Sequence, residues 1–494
     1  MAGIALLVPP GTHARPSPHP PSSSPSGVID APGLQPGAEA PSCGKLAVTA
    51  SAVAALFAFT GLRRWRRRAA PRGAARQATE LSDAPTAEIR QLSAQSGDFS
   101  WTRTWYPISP LSYLDESRPN PLTLLGKKIV VWRDAEGKWN AVQDACPHRM
   151  APLSLGKVAE DGTLVCRYHG WRFNGKGKCV KVPMATGEEE EARMCQLQRS
   201  AVAVFPVKVR QGLLFVFPDS SFEAALEAEG SEPFVSAESE GVEWVMTEAP
   251  VGYDVSVENT FDPSHGSFLH EGILKYTPER AEPMTKFSVR DGKLSGKGGF
   301  TLEHDGYDKG TSGMEATRQF VPPCSNTTKY KYADGRVMTT QLYFVPCDPR
   351  TTRYILNLGP AVKGKKSKSR IVSFFQDLLH AAFFNKIFGY RFQEQDLLAM
   401  RGQEQVLADD QTGKAWGEQY VLGTKSDAGV EAFRSWYYAH ASGGPDWPMN
   451  LKQSPPPPRP DSAVYDRWAR HAKHCPKCRR ALRGLGRFET FLSR

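Results

Sequence analysis

Two short segments that each hold a cysteine and a histidine constrain this chain more than any other feature. Cys146 and His148 lie in CPHRMAPLSLG, Cys166 and His169 lie in CRYHGWRF, and 17 residues separate His148 from Cys166. Strand-like residues precede the second cysteine, and an Asn-Gly pair follows the segment, which is typical of hairpins. The pattern therefore predicts two hairpin tips in a β-rich unit, each offering one thiolate and one imidazole to a shared metal centre.

Two cysteines and two histidines can bind a zinc ion or a Rieske [2Fe–2S] cluster. Zinc fingers pair Cys with Cys and His with His, whereas each segment here mixes the two types. In a Rieske cluster two thiolates bind one iron and two imidazoles bind the other. We therefore predict that Cys146, His148, Cys166 and His169 hold a Rieske cluster and that the protein transfers electrons.

The charge distribution excludes a simple nucleic-acid-binding protein. The net charge is +10 over 494 residues, but residues 1–79 and 470–494 each carry +7, so the rest of the chain is mildly acidic. No recognition motif for DNA or RNA accompanies the two basic ends. The nine cysteines also lack the spacing of a disulfide framework, which favours a reducing compartment.

Residues 1–98 are predicted to be a targeting leader rather than a folded domain. They are poor in acids and rich in Pro, Ser, Ala and Arg, and an apolar run at 46–62 precedes five arginines. Such a leader is typical of organelle import. A short membrane anchor is the alternative for the apolar run.

The texture of the rest of the chain predicts two domains and an extension. Residues 99–218 contain short β-like runs, and residues 219–240 form an acidic linker. Residues 241–410 form a second domain that closes on a long helix from Phe383 to about Leu407. Residues 411–494 are a C-terminal extension that contains the CxxC pair Cys475 and Cys478.

A second metal site is predicted in the segment ENTFDPSHGSFLH, which holds Asp262, His265 and His270. Two histidines and one carboxylate on one face of Fe(II) leave open positions for O₂ and substrate. Asp262 and His265 are expected to share a helix face, and His270 joins them only if the helix is distorted or ends near Gly266.

The third iron ligand is expected to be Asp396, an acid in an otherwise apolar helical stripe. A buried carboxylate is costly unless it is paired or bound to a metal. Glu394 and Asp409 are the fallback candidates. Asp262 is expected to orient a metal-bound histidine or to bridge the two centres.

Together these segments resemble the Rieske non-haem iron oxygenases. The narrower resemblance is to pheophorbide a oxygenase, protochlorophyllide-type oxygenases and the Rieske protein of the chloroplast translocon. The motifs that carry it are TRTWYPISP, LLGKKIVVW, CPHRMAPLSLG, CRYHGWRF, QGLLFVFPD, ENTFDPSHGSFLH, QEQDLLAMRGQE and the terminal HCPKC. The resemblance implies an α+β fold, with an all-β Rieske domain followed by a helix-grip catalytic domain. It also implies one Rieske [2Fe–2S] cluster and one mononuclear non-haem Fe(II), held by His265, His270 and Asp396.

The family resemblance implies further roles and partners. Asp262 would link His169 of one subunit to His265 of the next, which implies a homotrimer. Asn259 matches a polar position of the family motif near the iron. Ferredoxin would donate electrons, and basic residues around the cluster could dock it.

The sequence allows several functions for the C-terminal CxxC pair. Cys475 and Cys478 suggest a redox thiol pair, read by thioredoxin, while a structural pair or a metal site with His471 and His474 stays open. Land-plant members of the group end in hydrophobic segments, whereas this chain is Arg-rich after Cys478, so membrane association at this end is left open.

The predicted function is a plastid Rieske monooxygenase that uses ferredoxin electrons and O₂ to oxygenate a chlorophyll-derived tetrapyrrole. Pheophorbide a, chlorophyllide and protochlorophyllide are the expected substrate types, in a pocket lined by aromatic residues such as Phe261 and Phe268. The alternatives are an oxygenase of a sterol or another hydrophobic small molecule, and a non-catalytic redox sensor of a plastid import complex. The complete iron ligand set argues against the sensor.

Overall fold

The α+β architecture expected from the sequence is present in the computed structural model. It describes residues 99–273, 276–357, 369–383, 392–412 and 414–493. The predicted leader, with its apolar run at 46–62, lies outside these ranges. Within them, no helix is both long enough and apolar enough to cross a membrane.

Short strands build residues 99–218 as three small antiparallel sheets. The strands are β1 (Tyr106–Pro110), β2 (Asn120–Leu124), β3 (Lys127–Arg133), β4 (Trp139–Gln143), β5 (Lys157–Val158), β6 (Leu164–Val165), β7 (Arg172–Phe173), β8 (Cys179–Lys181), β9 (Val207–Arg210) and β10 (Leu213–Val216). Their orders are β1-β10-β9, β2-β3-β4 and β5-β6-β7-β8. Helix α1 (Glu188–Gln196) follows β8 in the chain.

The β3–β4 hairpin shows how the sequence sets these turns. The Asp134 carboxylate accepts the Lys138 N–H at 2.8 Å, and its carbonyl accepts the Gly137 N–H at 3.0 Å. Gly137 has a φ of 82°, which glycine adopts without strain. The buried Trp132 donates its indole N–H to the Gly162 carbonyl at 3.0 Å. The hairpin is thereby fixed against the turn that leads into the second cluster segment.

A seven-stranded antiparallel sheet forms the centre of the second part. Its strands are β11 (Val245–Ala249), β12 (Phe287–Val289), β13 (Phe300–His304), β14 (Glu315–Val321), β15 (Ser325–Lys331), β16 (Val337–Asp348) and β17 (Thr351–Asn357). The order is β11-β17-β16-β15-β14-β13-β12. Consecutive strands from β12 to β17 are therefore neighbours. β11, the first of these seven strands in the chain, forms one edge of the sheet beside β17.

Helices precede, interrupt and follow the strands of this sheet in the chain. They are α2 (Phe222–Gly230), α3 (Tyr253–Phe261), α4 (Gly266–Leu269), α5 (Arg370–Ala382), α6 (Glu394–Asp409), α7 (Trp416–Gln419), α8 (Ala428–Ala439), α9 (Met449–Gln453), α10 (Asp461–Tyr465) and α11 (Pro476–Leu492). The stretch 219–240, expected to be a linker, contains α2, and two of its alanines are buried. The expected long closing helix corresponds to α6, which begins at Glu394; residues 384–391 are outside the described ranges.

One hydrophobic core joins the seven-stranded sheet to α3, which precedes most of its strands in the chain, and to α8, which follows them. Phe261 at the end of α3 packs on Phe320 of β14 and Phe433 of α8, with ring centroids 6.0 and 6.2 Å apart. All three side chains are fully buried. Residues after 410 therefore complete the core of the second domain. Phe261, which was expected to line a substrate pocket, belongs to this core instead.

Candidate metal centres

The two cluster segments adopt the same loop. In each, the cysteine N–H donates to the carbonyl five residues later, and the N–H four residues later donates to the cysteine carbonyl. These bonds join Cys146 to Ala151 and Met150, and Cys166 to Trp171 and Gly170, at 2.8–3.0 Å. The fourth position has a positive φ in both loops, 60° at Met150 and 74° at Gly170. The loops are thus a structural repeat that presents two matching pairs of side chains.

The four predicted cluster residues lie together, with sulfurs inside and imidazoles outside. Cys146 and Cys166 are buried, His169 is half-buried and His148 is exposed. The two imidazole rings lie 4.6 Å apart, and His148 stacks on Trp171 at 4.9 Å. This arrangement places the histidine edge of the site at the protein surface, where electrons can be exchanged.

Burial controls the protonation of Cys146. Burial, helped by the neighbouring Cys166, raises the pKa of the Cys146 thiol to about 11. The thiol therefore keeps its proton at neutral pH until a metal replaces it. Without a metal, these loops would hold a buried, inert thiol at the tip of a hairpin.

Three side chains from distant segments converge at a second centre. His265 Nε2 lies 3.4 Å and His270 Nε2 lies 3.2 Å from the same oxygen, Asp396 Oδ1. Among the described residues, His270 Nε2 and Asp396 Oδ1 are buried and lack a well-formed hydrogen bond. Such atoms are costly to bury without a partner. A cation between them would satisfy both, so the set fits the 2-His-1-carboxylate site of Fe(II).

A turn, and not a helix, brings Asp262 to His265. Helix α3 ends at Phe261, and Asp262 is already non-helical, with φ −105° and ψ 95°. Its Oδ1 accepts the Ser264 N–H at 2.9 Å and the Ser264 hydroxyl at 2.6 Å, while Oδ2 lies 3.6 Å from His265 Nδ1. The expectation of a shared helix face is wrong, because the helix stops first. His265 and His270 flank the single turn α4, which lets both rings face the same carboxylate.

The charges of the site suit a cation. Burial opposes ionisation of Asp396, yet the neighbouring imidazoles of His265 and His270 lower its pKa. The pKa of Asp262 is also lowered against its burial, first by His265 and then by Ser264. Burial would lower the pKa of His265, but the two carboxylates raise it to about 9. The site therefore carries two carboxylates, and a metal must displace a proton from His265.

Two residues missed by the sequence analysis support His270. The Nδ1 atom of His270 lies 3.2 Å from Gln395 Oε1, which can accept its proton. The His270 ring also stacks on Phe392, with centroids 3.8 Å apart. The bond to Gln395 leaves Nε2 as the free nitrogen, directed at Asp396. Phe392 lies one turn before Asp396 and Gln395 directly before it, and only the structure shows that both contact His270.

The fallback acids lie elsewhere. Glu394 is only 2% exposed and accepts two bonds from Arg467, at 2.8 and 3.2 Å, with Arg470 at 3.6 Å. Asp409 is exposed at the end of α6. Of the candidate acids on this helix, Asp396 alone meets the two histidines. Asn259 lies in the last turn of α3, where its carbonyl accepts the Asp262 N–H at 3.3 Å, and its role near the iron stays a prediction.

Tyrosine hydroxyls beside His270 also escaped the sequence analysis. The Tyr276 ring lies 6.2 Å from the His270 ring, and its hydroxyl is 3.5 Å from that of Tyr307. Tyr330 accepts an N–H from the buried Arg318 at 3.2 Å. Tyr276 and Tyr330 are half-buried, so this side of the site offers polar groups to a bound molecule. Phe268, expected in the pocket, is mostly exposed.

The CxxC pair is buried, and its sulfurs are not joined in a disulfide. Cys475 and Cys478 lie with His471, as one of the readings expected, and with His380, which the sequence analysis did not consider. His474 is not part of the group, and its Nε2 lies 4.0 Å from Glu248 instead.

Comparison with known proteins gives a consistent result. The model of the Rieske [2Fe-2S] domain matches residues 104–206, and the model named pheophorbide a oxygenase matches residues 320–414. The chain is 30% identical to the chloroplast pheophorbide a oxygenase of Oryza sativa subsp. japonica, over 81% of this chain and 77% of the relative. It is also 30% identical to that of Arabidopsis thaliana, over 81% of this chain and 75% of the relative.

A solved structure supports the fold. The crystal structure of dicamba monooxygenase bound to dicamba matches with a TM-score of 0.52 and 19% identity. The match covers 70% of this chain and 99% of the other. It confirms the predicted arrangement of an all-β Rieske domain followed by a sheet-and-helix catalytic domain.

The predicted cofactors, enzyme class and location are also confirmed by these relationships. The protein is an oxidoreductase of the monooxygenase type with a Rieske [2Fe–2S] cluster and a mononuclear iron. Both of these pheophorbide a oxygenases are chloroplast proteins, in agreement with a plastid location. The chain therefore belongs to the Rieske non-haem iron oxygenases, in the group that includes pheophorbide a oxygenase.

Proposed function

We propose that this chain is a plastid Rieske monooxygenase that inserts oxygen from O₂ into a chlorophyll-derived tetrapyrrole. Pheophorbide a, chlorophyllide and protochlorophyllide are the substrate types. The observation that carries the proposal is the convergence of His265, His270 and Asp396 in a chain whose relatives are pheophorbide a oxygenases. A redox sensor has no need for a metal site of this kind, so it is the weaker alternative.

In this proposal His265, His270 and Asp396 bind the catalytic iron. When bound in such a site, iron supplies open positions at which O₂ is activated. The contribution of the chain is to fix the ligands. The Asp262 carboxylate lies 3.6 Å from His265 Nδ1, and Gln395 can accept the Nδ1 proton of His270, while both Nε2 atoms face Asp396.

The cluster would be held by Cys146, His148, Cys166 and His169. Its exposed histidine edge is surrounded by basic side chains that suit an acidic donor such as ferredoxin. Exposed members of this group are Lys157, Arg167, Lys176, Lys178 and Lys181. Ferredoxin would therefore dock on these basic side chains, beside the face that carries the imidazoles.

The proposal includes a homotrimer in which electrons cross between subunits. Met150 and Tyr168, beside the cluster histidines, are 66% and 60% exposed, and large exposed apolar side chains favour a protein contact. The Asp262 side chain is partly exposed and already faces His265. It would accept a hydrogen bond from His169 of the neighbouring subunit, and so connect the two metal centres.

The tyrosines beside His270 are the proposed contacts for the substrate's polar groups. The Tyr276 ring lies 6.2 Å from the His270 ring, and Tyr276 and Tyr330 are both half-buried. A tetrapyrrole presents carbonyl and carboxylate oxygens at its rim, which such hydroxyls can donate to. These bonds would orient the flat ring against the iron without contributing to the reaction itself.

The test is a turnover assay with purified protein containing both metal centres. Ferredoxin, ferredoxin reductase, NADPH and O₂ are supplied, and pheophorbide a, chlorophyllide, protochlorophyllide and a sterol are offered separately. Products are followed by mass spectrometry with ¹⁸O₂. We expect a labelled oxygen in one of the tetrapyrroles.

The outcomes separate the alternatives. A labelled sterol in place of a tetrapyrrole would move the protein to the sterol oxygenases. Reduction of the cluster with no product from any compound would favour the redox sensor. The Asp396→Ala variant should lose all turnover while its cluster spectrum is unchanged, and retained turnover would contradict the ligand assignment.

A further inference from the structure

Four potential metal ligands form a second, separate group in the C-terminal part of the chain. They are His380, His471, Cys475 and Cys478. Each offers one nitrogen or sulfur atom, and these four atoms all lie within 4.8 Å of one another. Because the distances between these atoms are so short, a single ion could contact all four.

The four side chains come from three elements that meet at one point. His380 lies in the last turn of α5, and His471 lies in a π-helical turn at Trp468–Ala472. Cys475 is the residue before α11, and Cys478 lies in its first turn. A metal ion here would therefore join the two long helices to the turn between α10 and α11.

The distances match a tetrahedral zinc site. Cys475 Sγ lies 3.4 Å from His380 Nε2, and Cys478 Sγ lies 3.5 Å from His471 Nε2. With zinc–sulfur bonds near 2.3 Å and zinc–nitrogen bonds of 2.0–2.1 Å, a tetrahedron separates sulfur from nitrogen by about 3.5 Å. Two thiolates and two imidazoles around a single ion are also a ligand set typical of Zn²⁺.

The surroundings are those of a closed structural site. Cys475, Cys478 and His471 are 1%, 5% and 7% exposed. The Nδ1 atom of His471 lies 2.9 Å from the Met246 carbonyl, which can accept its proton, while Nε2 lies on the side of the Cys478 sulfur. Metal-bound histidines almost always have such a partner on the other nitrogen.

The same features disfavour a redox pair. A reactive dithiol needs at least one accessible sulfur, whereas both sulfurs here are covered. Each sulfur also faces an imidazole nitrogen, a feature that disulfide exchange does not require. The pairing of His380 with a cysteine 95 residues away is accounted for by a shared ion, and not by the CxxC motif alone.

We propose that His380, His471, Cys475 and Cys478 bind one structural Zn²⁺. The ion fastens the C-terminal segment to α5 and to β11, which carries Met246. Arg480 of α11 adds a two-point ion pair to Asp377 of α5, at 2.7 and 2.9 Å. The zinc site is therefore one end of a helix pair that is already held together.

The site also lies next to the support of the iron helix. Arg470, the neighbour of His471, donates to Gln393 at 2.7 Å and lies 3.6 Å from Glu394. Gln393 and Glu394 begin the helix that carries Asp396. Loss of zinc should therefore weaken this support of α6, and the thermal stability of the second domain should fall.

The test uses the full chain as purified with its cluster. Elemental analysis should find about one zinc per chain in addition to iron. X-ray absorption at the zinc edge, which iron does not disturb, should show two sulfurs near 2.3 Å and two nitrogens near 2.0–2.1 Å. Absence of zinc, or zinc bound by oxygen and nitrogen only, overturns the proposal.

Variants identify the residues. Cys478→Ser and His380→Ala should each lose the zinc and keep the Rieske spectrum, whereas the control His474→Ala should keep the zinc. In the wild-type chain, titration with a mercurial thiol reagent should release zinc as two cysteines, Cys475 and Cys478, react. If Cys475 and Cys478 instead form a disulfide that thioredoxin reduces, and no zinc is released, the pair is a redox pair and the zinc proposal is wrong.

Discussion

Two acids separated by a single residue on α6 should respond to the same change in opposite ways. Glu394→Gln and Asp396→Asn each replace a carboxylate by an amide of the same shape. Glu394 holds Arg467 and Arg470, whereas Asp396 faces His265 and His270. We expect Glu394→Gln to lower stability with the iron retained, and Asp396→Asn to lose the mononuclear iron with the fold retained.

The magnitude follows from burial. Glu394 and Arg470 are 2% and 6% exposed, so the amide would leave a buried guanidinium without its counter-charge. Breaking a buried pair in this way costs about 3–5 kcal/mol. With an unfolding entropy near 2.1 cal/mol/K per residue, a unit of about 400 residues should melt about 4–6 °C lower.

The assay combines three measurements on each variant: iron per chain, the spectrum of the reduced cluster, and thermal unfolding followed by circular dichroism. Asp396→Asn should fall from about three irons to about two, because the cluster keeps its pair. The reasoning is refuted if Glu394→Gln loses the third iron at an unchanged melting temperature while Asp396→Asn keeps it. That result would make Glu394 the ligand.

Three further predictions concern the site and its support. The pKa of His265 is raised to about 9, above its usual 6.5, because two carboxylates face the protonated ring. Their attraction therefore stabilises the iron-free fold fully below pH 6.5, and this contribution is lost as pH rises through 9. Anaerobic iron titration should correspondingly show an affinity that rises about tenfold per pH unit towards pH 9, and a flat profile would contradict this. Arg434 is buried between Asp254 and Glu258 at 2.9 and 2.6 Å, so Arg434→Met should cost about 3–5 kcal/mol in unfolding free energy, and an unchanged denaturation midpoint would be evidence against it. Tyr276→Phe should raise KM for the tetrapyrrole about tenfold, the value of one hydrogen bond, at unchanged kcat and iron content; an equal KM would remove Tyr276 from the substrate contacts.

Metal chemistry explains why the candidate ligands could be found in the sequence. Few residue types bind iron, and their spacing at Cys146, His148, Cys166 and His169 leaves little choice of site. Asp396 was identified by a different argument, because a lone acid in an apolar stripe needs a partner. The antiparallel sheets were foreseen from strand-like runs and from the family resemblance.

The remainder depended on contacts that local sequence does not encode. An i,i+3 spacing suits both a helix and the turn that Asp262 forms with Ser264, so the end of α3 was misjudged. Phe261 could equally face a pocket or the core until distant segments supplied Phe320 and Phe433. His380 joins Cys475 only because α5 and α11 pack together, which no pattern near either residue indicates.

The ion pairs of Arg467 and Arg470 with Glu394, at the start of α6, have a consequence for shortened forms of the protein. A premature stop codon or a deletion before residue 467 would leave every cluster ligand and every candidate iron ligand in place, yet it would release Glu394 into a buried, uncompensated position. Such a product should resemble a complete oxygenase in its sequence and fail as one, because a buried carboxylate without its arginines would destabilise the second domain. Expression designs that trim the protein to its recognisable domains would produce this molecule.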